Sequence, residues 1–250
     1  MFSSIWLDNE SDDAARLFWE LAGEIEAFPR SLGRAVALAL PVALVKLPRL
    51  QLNDVKSWLG SRCPRFNLTC QSRPIHGCLV AFAGKGIAFL DGSDQPEELR
   101  FTLAHEISHF MLDYWLSRRE LAHLFGQSIL EVLDGLRLPS VRERMHAIVA
   151  GQEVVPYVSF LARNQAEPTV HVWRIEDRAD RLALALLAPS ESVMARVDVS
   201  SLHYAERLEA VHALLRNCFG LSPSVSRTYA AALLDEYGHG PSWAESLRLR

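Results

Sequence analysis

The chain lacks an excess of basic charge. Its 250 residues include 26 Lys and Arg against 30 Asp and Glu, for a net charge of −4. That excludes a strongly cationic surface, and with it nucleic acid or an anionic membrane as the default partner. Cysteine is scarce, with 4 in the chain. Cys63, Cys70 and Cys78 do not stand at C-x-x-C spacing. They read as reduced, small, buried side chains, and neither a disulfide framework nor a zinc knuckle is expected. No apolar run approaches the ~20 residues that cross a bilayer. The most apolar segment, 35–47, is broken by Pro41 and ends just past Lys46. The first ten residues hold no basic stretch and no long apolar one, and turn acidic at Asp8 and Glu10. No signal peptide is read there, and the expected location is the cytoplasm. Gly84-Lys85-Gly86 lacks the length and the following Ser or Thr of a phosphate-binding loop. Internal repeats and low-complexity linkers are missing too.

What is present is ordinary for a chain with a sizeable core. Hydrophobic residues make up 49% and charged residues 22%, which suits one large domain plus a small appendage. Leu17, Leu21 and Ile25 recur at four-residue spacing, so 12–28 reads as an amphipathic helix stopped by Pro29. The Val- and Leu-rich 35–47 reads as a strand or strand pair, and 52–59 as a short helix. Cys78 to Ala83 and Ile87 to Leu90 flank Gly84-Lys85-Gly86 as the arms of a β-hairpin. Asp94-x-x-Glu97 resembles a capping box opening a helix over about 96–115. Helical patterns fill 118–162, another helix runs from about Arg174 to Leu187, and the residues beyond Ser190 are helical throughout.

The helix after the hairpin contains His105-Glu106-Ile107-Ser108-His109, the pattern H-E-x-x-H. Residues four apart share one helix face, so both imidazoles can reach one ion. Zn²⁺ accepts neutral imidazole and imposes little angular preference. Glu106, about 100° round the helix, can serve as general base toward a metal-bound water. With 9 His in the chain, random placement yields ~0.02 matches to the pattern, so the motif carries information. Leu99, Leu103, Ile107 and Met111 form a stripe that would bury the helix against the sheet and turn the histidines to a cleft.

Zinc needs a third protein ligand. The extended form with a third His is absent, because Leu112 and Trp115 stand where its Gly and His would be. The helix ending at Leu187 offers Glu176 and Asp180 on one face, together with Ala179 and Ala183, which are small enough for close packing against another helix. Either acid could point at the ion.

The segment from Arg100 to Phe110 resembles the active-site helix of the ImmA/IrrE family of zinc metallo-endopeptidases. That family carries a second block, E-x-x-A-x-x-F-A-x-x-L-L-x-P. Here Glu176, Ala179, Leu182, Ala183, Leu186, Leu187 and Pro189 stand at its offsets, with Leu182 in place of Phe. The resemblance covers about 79–189. It implies an α+β, zincin-like metallopeptidase core with a small sheet before the active-site helix. It implies Glu176 as third ligand beside His105 and His109, Glu106 as catalytic residue, and Zn²⁺ as cofactor. It also implies an intracellular regulatory peptidase whose protein substrate is of the DNA-binding repressor kind.

The expected organisation is therefore a peptidase domain over 1–189, with a helical insertion at about 117–167, and a C-terminal helical domain over 190–250 with a helix-turn-helix-like segment. The C-terminal part has a net charge of −1, which argues against direct nucleic-acid binding and for a protein partner. His123, His146 and His171 are isolated and read as structural or surface residues; His171, just before the ligand helix, is the one that could face the cleft. The substrate is expected to lie extended along an edge strand at Ile87 to Leu90. Two other readings use the same motif: a non-catalytic regulator binding a protein partner, and a metal-dependent hydrolase of a non-peptide substrate. Glu106 argues against the first, because a binding module has no need of that carboxylate.

Overall fold

The computed structural model describes residues 9–62, 72–141, 157–162, 170–199 and 203–243. Helix α1 (Asn9–Ala22) buries Ala14, Ala15, Phe18, Trp19 and Ala22. The expected stripe does not face the core: Leu21 and Ile25 are 39% and 62% exposed. Phe18 and Trp19, packed edge to face at 5.0 Å, offer more apolar surface. The helix stops short of Pro29 because Gly23, at φ +77°, ends it.

Helix α2 (Gly33–Ala39) replaces the first half of the strand expected over 35–47. Its Ala-rich run favours helix, and Pro41 pushes Leu40 into extended backbone, from which β1 (Val42–Leu47) starts. Helix α3 (Leu52–Arg62) runs through Gly60 and buries Leu52, Val55 and Leu59. The expected hairpin is present as β2 (Ile75–Phe82) and β3 (Lys85–Asp91). Its turn is shorter than read: Ala83 and Gly84, at φ +48° and +74°, form a two-residue loop, and Lys85 and Gly86 lie in the strand.

Strand β4 (Tyr157–Ala162) pairs antiparallel with β2, at the end of the stretch 118–162 expected to hold broken helices. β1 pairs parallel with β3, from Val42 opposite Gly86 to Leu47 opposite Asp91. The sheet order is β1-β3-β2-β4. The strand holding Ile87 to Leu90 is thus interior, with a neighbour on each side. A peptide cannot add along it, and the expectation of an edge there is wrong; within the sheet the edges are β1 and β4.

Helix α4 (Pro96–His109) continues through a π-helical stretch, Phe110–Trp115, into α5 (Leu116–Phe125). No capping box opens α4: its N-cap is Gln95, without a side-chain cap, and Asp94 Oδ2 instead lies 2.7 Å from His76 Nδ1. Then come α6 (Ile129–Leu133), α7 (Val170–Leu187), α8 (Ser190–Met194), α9 (Tyr204–Asn217) and α10 (Pro223–Glu236). The turn between α9 and α10 carries Gly220 at φ +68°, whose carbonyl accepts a 2.7 Å hydrogen bond from Arg100 of α4.

The architecture is α+β. One face of the sheet (Leu79, Ala81, Ala88, Leu90) shares a buried cluster with α4, α7 and the C-terminal helices, the last through Val211, Leu215, Phe219 and Leu233. The other face (Cys78, Val80, Phe89) is covered by Leu52, Val55 and Leu59 of α3. Among the described residues no helix is long and apolar enough to cross a membrane.

Candidate metal centre

Two packed helices bring the site together. On α4, i,i+4 spacing stacks His105 and His109, whose rings lie edge to face at 4.7 Å. Helix α7 packs along α4 with Ala179 and Ala183 fully covered, the close approach that small residues permit. This brings Glu176 to the imidazoles. Glu176 Oε2 is 3.3 Å from His105 Nε2, and Oε1 is 3.8 Å from His109 Nε2. The two Nε2 atoms are 3.1 Å apart. A tetrahedral zinc with bonds of 2.0–2.1 Å separates two nitrogen ligands by about 3.3 Å. The donor set and its spacing therefore fit a zinc ion, and these three residues form a group able to hold a metal.

Asp180, the alternative third ligand, stands elsewhere. Its Oδ1 lies 2.8 Å from the far nitrogen of His105, Nδ1. It holds the ring from behind while Glu176 faces Nε2. His109 has the same support from Asp113 Oδ2, 2.8 Å from its Nδ1. A carboxylate on the second ring nitrogen fixes the tautomer that leaves Nε2 free to bind metal. Asp113 escaped the sequence reading. The signal was an acid four residues after the second histidine, on the same helix face.

The histidines lie deeper than a cleft wall. His105 and His109 are 1% and 0% exposed. Solvent meets the cluster from the α7 side, where the Glu176 and Asp180 side chains are 23% and 42% exposed. Burial disfavours the charged form of His105, but its hydrogen bonds to Asp180 and Glu176, with the charges of Asp180 and Glu106, push its pKa up to about 10. Burial likewise opposes charge on His109, and the hydrogen bonds to Asp113 and Glu176 outweigh it, so its pKa is raised. Glu176 is shifted the other way: partial burial would raise it, but the two imidazoles hold it down at about 2.

Glu106 is fully buried, and its charge acts on both imidazoles. It faces β2, and Gly77 makes the room. A Cβ at Gly77 would sit 2.6 Å from Thr102 Cγ2 and 2.7 Å from Glu106 Oε1. One turn on, a Cβ at Gly86 would meet Phe110 at 2.8 Å. The face seated on these glycines is thus Thr102 and Glu106 of α4 with Phe110 of the π-helical stretch, about 100° round from the expected stripe. Leu103, Ile107 and Met111 are buried in the same core cluster. Gly77 also went unread, although a glycine inside a strand marks close approach by another group. Gly77→Ala is expected to cost about 1–3 kcal/mol by overpacking, measured by denaturant unfolding of the metal-free chain. A loss below roughly 0.5 kcal/mol, the scale of an innocuous substitution, would mean that the Glu106 carboxylate has room to withdraw.

Of the isolated histidines, His123 is exposed on α5. His146 and the side chain of His171 lie outside the described residues. A scan against protein-family models and searches of curated proteins and solved structures find no match to this chain.

Proposed function

We propose that the chain is a zinc-dependent endopeptidase with a zincin-like core of the ImmA/IrrE kind. It acts in the cytoplasm on a specific protein substrate, such as a DNA-binding repressor. One observation carries this reading. A His105–His109–Glu176 cluster with both imidazoles buried, and with spacing suited to one tetrahedral ion, is assembled from two helices next to a buried glutamate.

His105 and His109 would hold zinc through Nε2, and Glu176 through its carboxylate. Zinc bound there would polarise a scissile carbonyl and make water acidic enough to attack at neutral pH. Glu106 accepts the proton of the attacking water and returns it to the leaving amine nitrogen. Asp113 and Asp180 keep the imidazoles oriented while the charge around them changes. The C-terminal helices, with their −1 charge, fit a role in holding a protein substrate.

The test is hydrolysis of a peptide library read by mass spectrometry. The zinc-loaded chain is expected to produce new termini, to stop when zinc is stripped by a chelator, and to resume with one equivalent of zinc. A chain that binds zinc stoichiometrically and cleaves neither peptides nor intact proteins would overturn the peptidase reading.

A further inference from the structure

Behind His109 a chain of charged groups leads away from the metal cluster. Asp113 lies in the π-helical stretch, one turn beyond His109, with its side chain 12% exposed. Its Oδ2 is 2.8 Å from His109 Nδ1, and its Oδ1 is 3.7 Å from a terminal nitrogen of Arg178. Arg178 stands two residues after Glu176 on α7. Its other terminal nitrogen donates to Glu10 Oε1 at 2.7 Å, in the first turn of α1. Three segments remote in sequence thus converge behind one imidazole.

We propose that Asp113, braced by Arg178, is the positioning residue for His109, with Glu10 of α1 holding Arg178 from its other side. The inference rests on the zinc-site reading of His105, His109 and Glu176. With Nδ1 facing Asp113, His109 directs its Nε2 toward His105 and Glu176. A cation at Nε2 makes the Nδ1 proton more acidic and strengthens its bond to the carboxylate. Arg178 lies 3.7 Å from the second oxygen of Asp113, an ion pair that favours one setting of the carboxylate. The π-helical turn shifts the backbone register directly after His109, a geometry that recurs at functional sites. Asp180 supports His105 at the same distance but is 42% exposed, so water screens it more than Asp113.

The test is the zinc dissociation constant of the full chain, measured by competition with a chromophoric chelator. Asp113→Asn is expected to weaken zinc binding 10–100-fold, the usual effect of losing such a partner. Arg178→Met should weaken it about 2–5-fold, and Glu10→Gln no more than about 2-fold, as for exposed ion pairs. The Asp113→Asn/Arg178→Met pair should bind no worse than Asp113→Asn alone, because Arg178 acts through Asp113. A merely structural role for Arg178 predicts additive losses instead, and that result would overturn the brace. Arg178 is 35% exposed, so its variant tests the idea even if Asp113→Asn folds poorly. A wild-type chain that binds zinc tightly beside an Asp113→Asn chain within about 2-fold of it would overturn the positioning role alone. A wild-type chain that binds no zinc would overturn the zinc-site reading beneath it as well.

Discussion

A Glu106→Gln chain is expected to take up one zinc, as the wild type does, and to lose peptide hydrolysis by a factor on the order of 10²–10⁴, the usual contribution of a positioned general base. The substitution isolates the proton-transfer role. Gln has nearly the size of Glu and can occupy the space made by Gly77 beside Thr102, so the packing of α4 on β2 is kept. The candidate metal ligands are untouched, since Glu106 lies about 100° round the helix from His105. What disappears, on the proposed mechanism, is the basic oxygen that would take a proton from water and deliver it to the leaving nitrogen. The measurement is kcat/KM on the best library peptide, with zinc content determined on the same sample. If zinc content stays at one per chain and kcat/KM falls less than about 10-fold, well short of a general base's share, Glu106 is not the base. If both fall together, its contribution is to holding the ion.

The second large effect is on stability, and it depends on pH. In the metal-free chain the paired imidazoles carry extra positive charge, and Glu176 is ionised between them. The Nε2 atoms face each other at 3.1 Å while both Nδ1 atoms face carboxylates, so the pair holds about one proton beyond neutrality. Zinc must displace that proton. Binding should therefore tighten about tenfold per pH unit through the neutral and mildly alkaline range and release about one proton per zinc.

The fold itself shifts in the opposite sense. His105, raised from 6.5 to about 10, stabilises the metal-free fold fully below pH 6.5 and loses that contribution as pH rises through about 10. Glu176, lowered from 4.5 to about 2, contributes above pH 4.5 and loses its part as pH falls through about 2. Zinc at 1,000 times its dissociation constant would add about 4 kcal/mol. The gap in Tm between zinc-loaded and metal-free chains is thus expected to widen from pH 6.5 to 9 at fixed free zinc. Calorimetry of both forms, with proton release followed by a weak indicator dye, checks the two parts. A gap that stays constant with pH would mean that zinc meets neutral imidazoles.

Much of the candidate cluster was legible because helical spacing does local work. His105 and His109 stand four residues apart, as do Glu176 and Asp180, so periodicity alone placed each pair on one face, with Glu106 about 100° round from its histidines. The choice between Glu176 and Asp180 was not legible from spacing, since both point the same way. It depends on how far α7 lies along α4, which the packing at Ala179 and Ala183 sets. Asp113 and Gly77 were missed for a related reason. Each matters through what it faces, His109 in one case and Glu106 in the other, and a single sequence shows the residue without its neighbour.

The hairpin was readable from two apolar runs around a glycine turn. The sheet order was not, because β1 reaches β3 only by running parallel to it, and the β4 partner of β2 comes some 75 residues later. Hydrophobicity marks a strand but says little about which strand lies beside it. The helix register of α1 failed where two stripes competed and the one holding Phe18 and Trp19 buried more surface.

The position of Glu176 on a helix far downstream of α4 also sets an order of events during synthesis. At 5–20 residues per second, Glu176 leaves the ribosome roughly 3–13 s after His109. The two imidazoles and Glu106 emerge together, but their partner acids at 176 and 180, and the strand that closes the sheet beside β2, arrive only afterwards. The nascent chain holds half the candidate cluster for that interval, and an ion could be captured tightly only once α7 has docked.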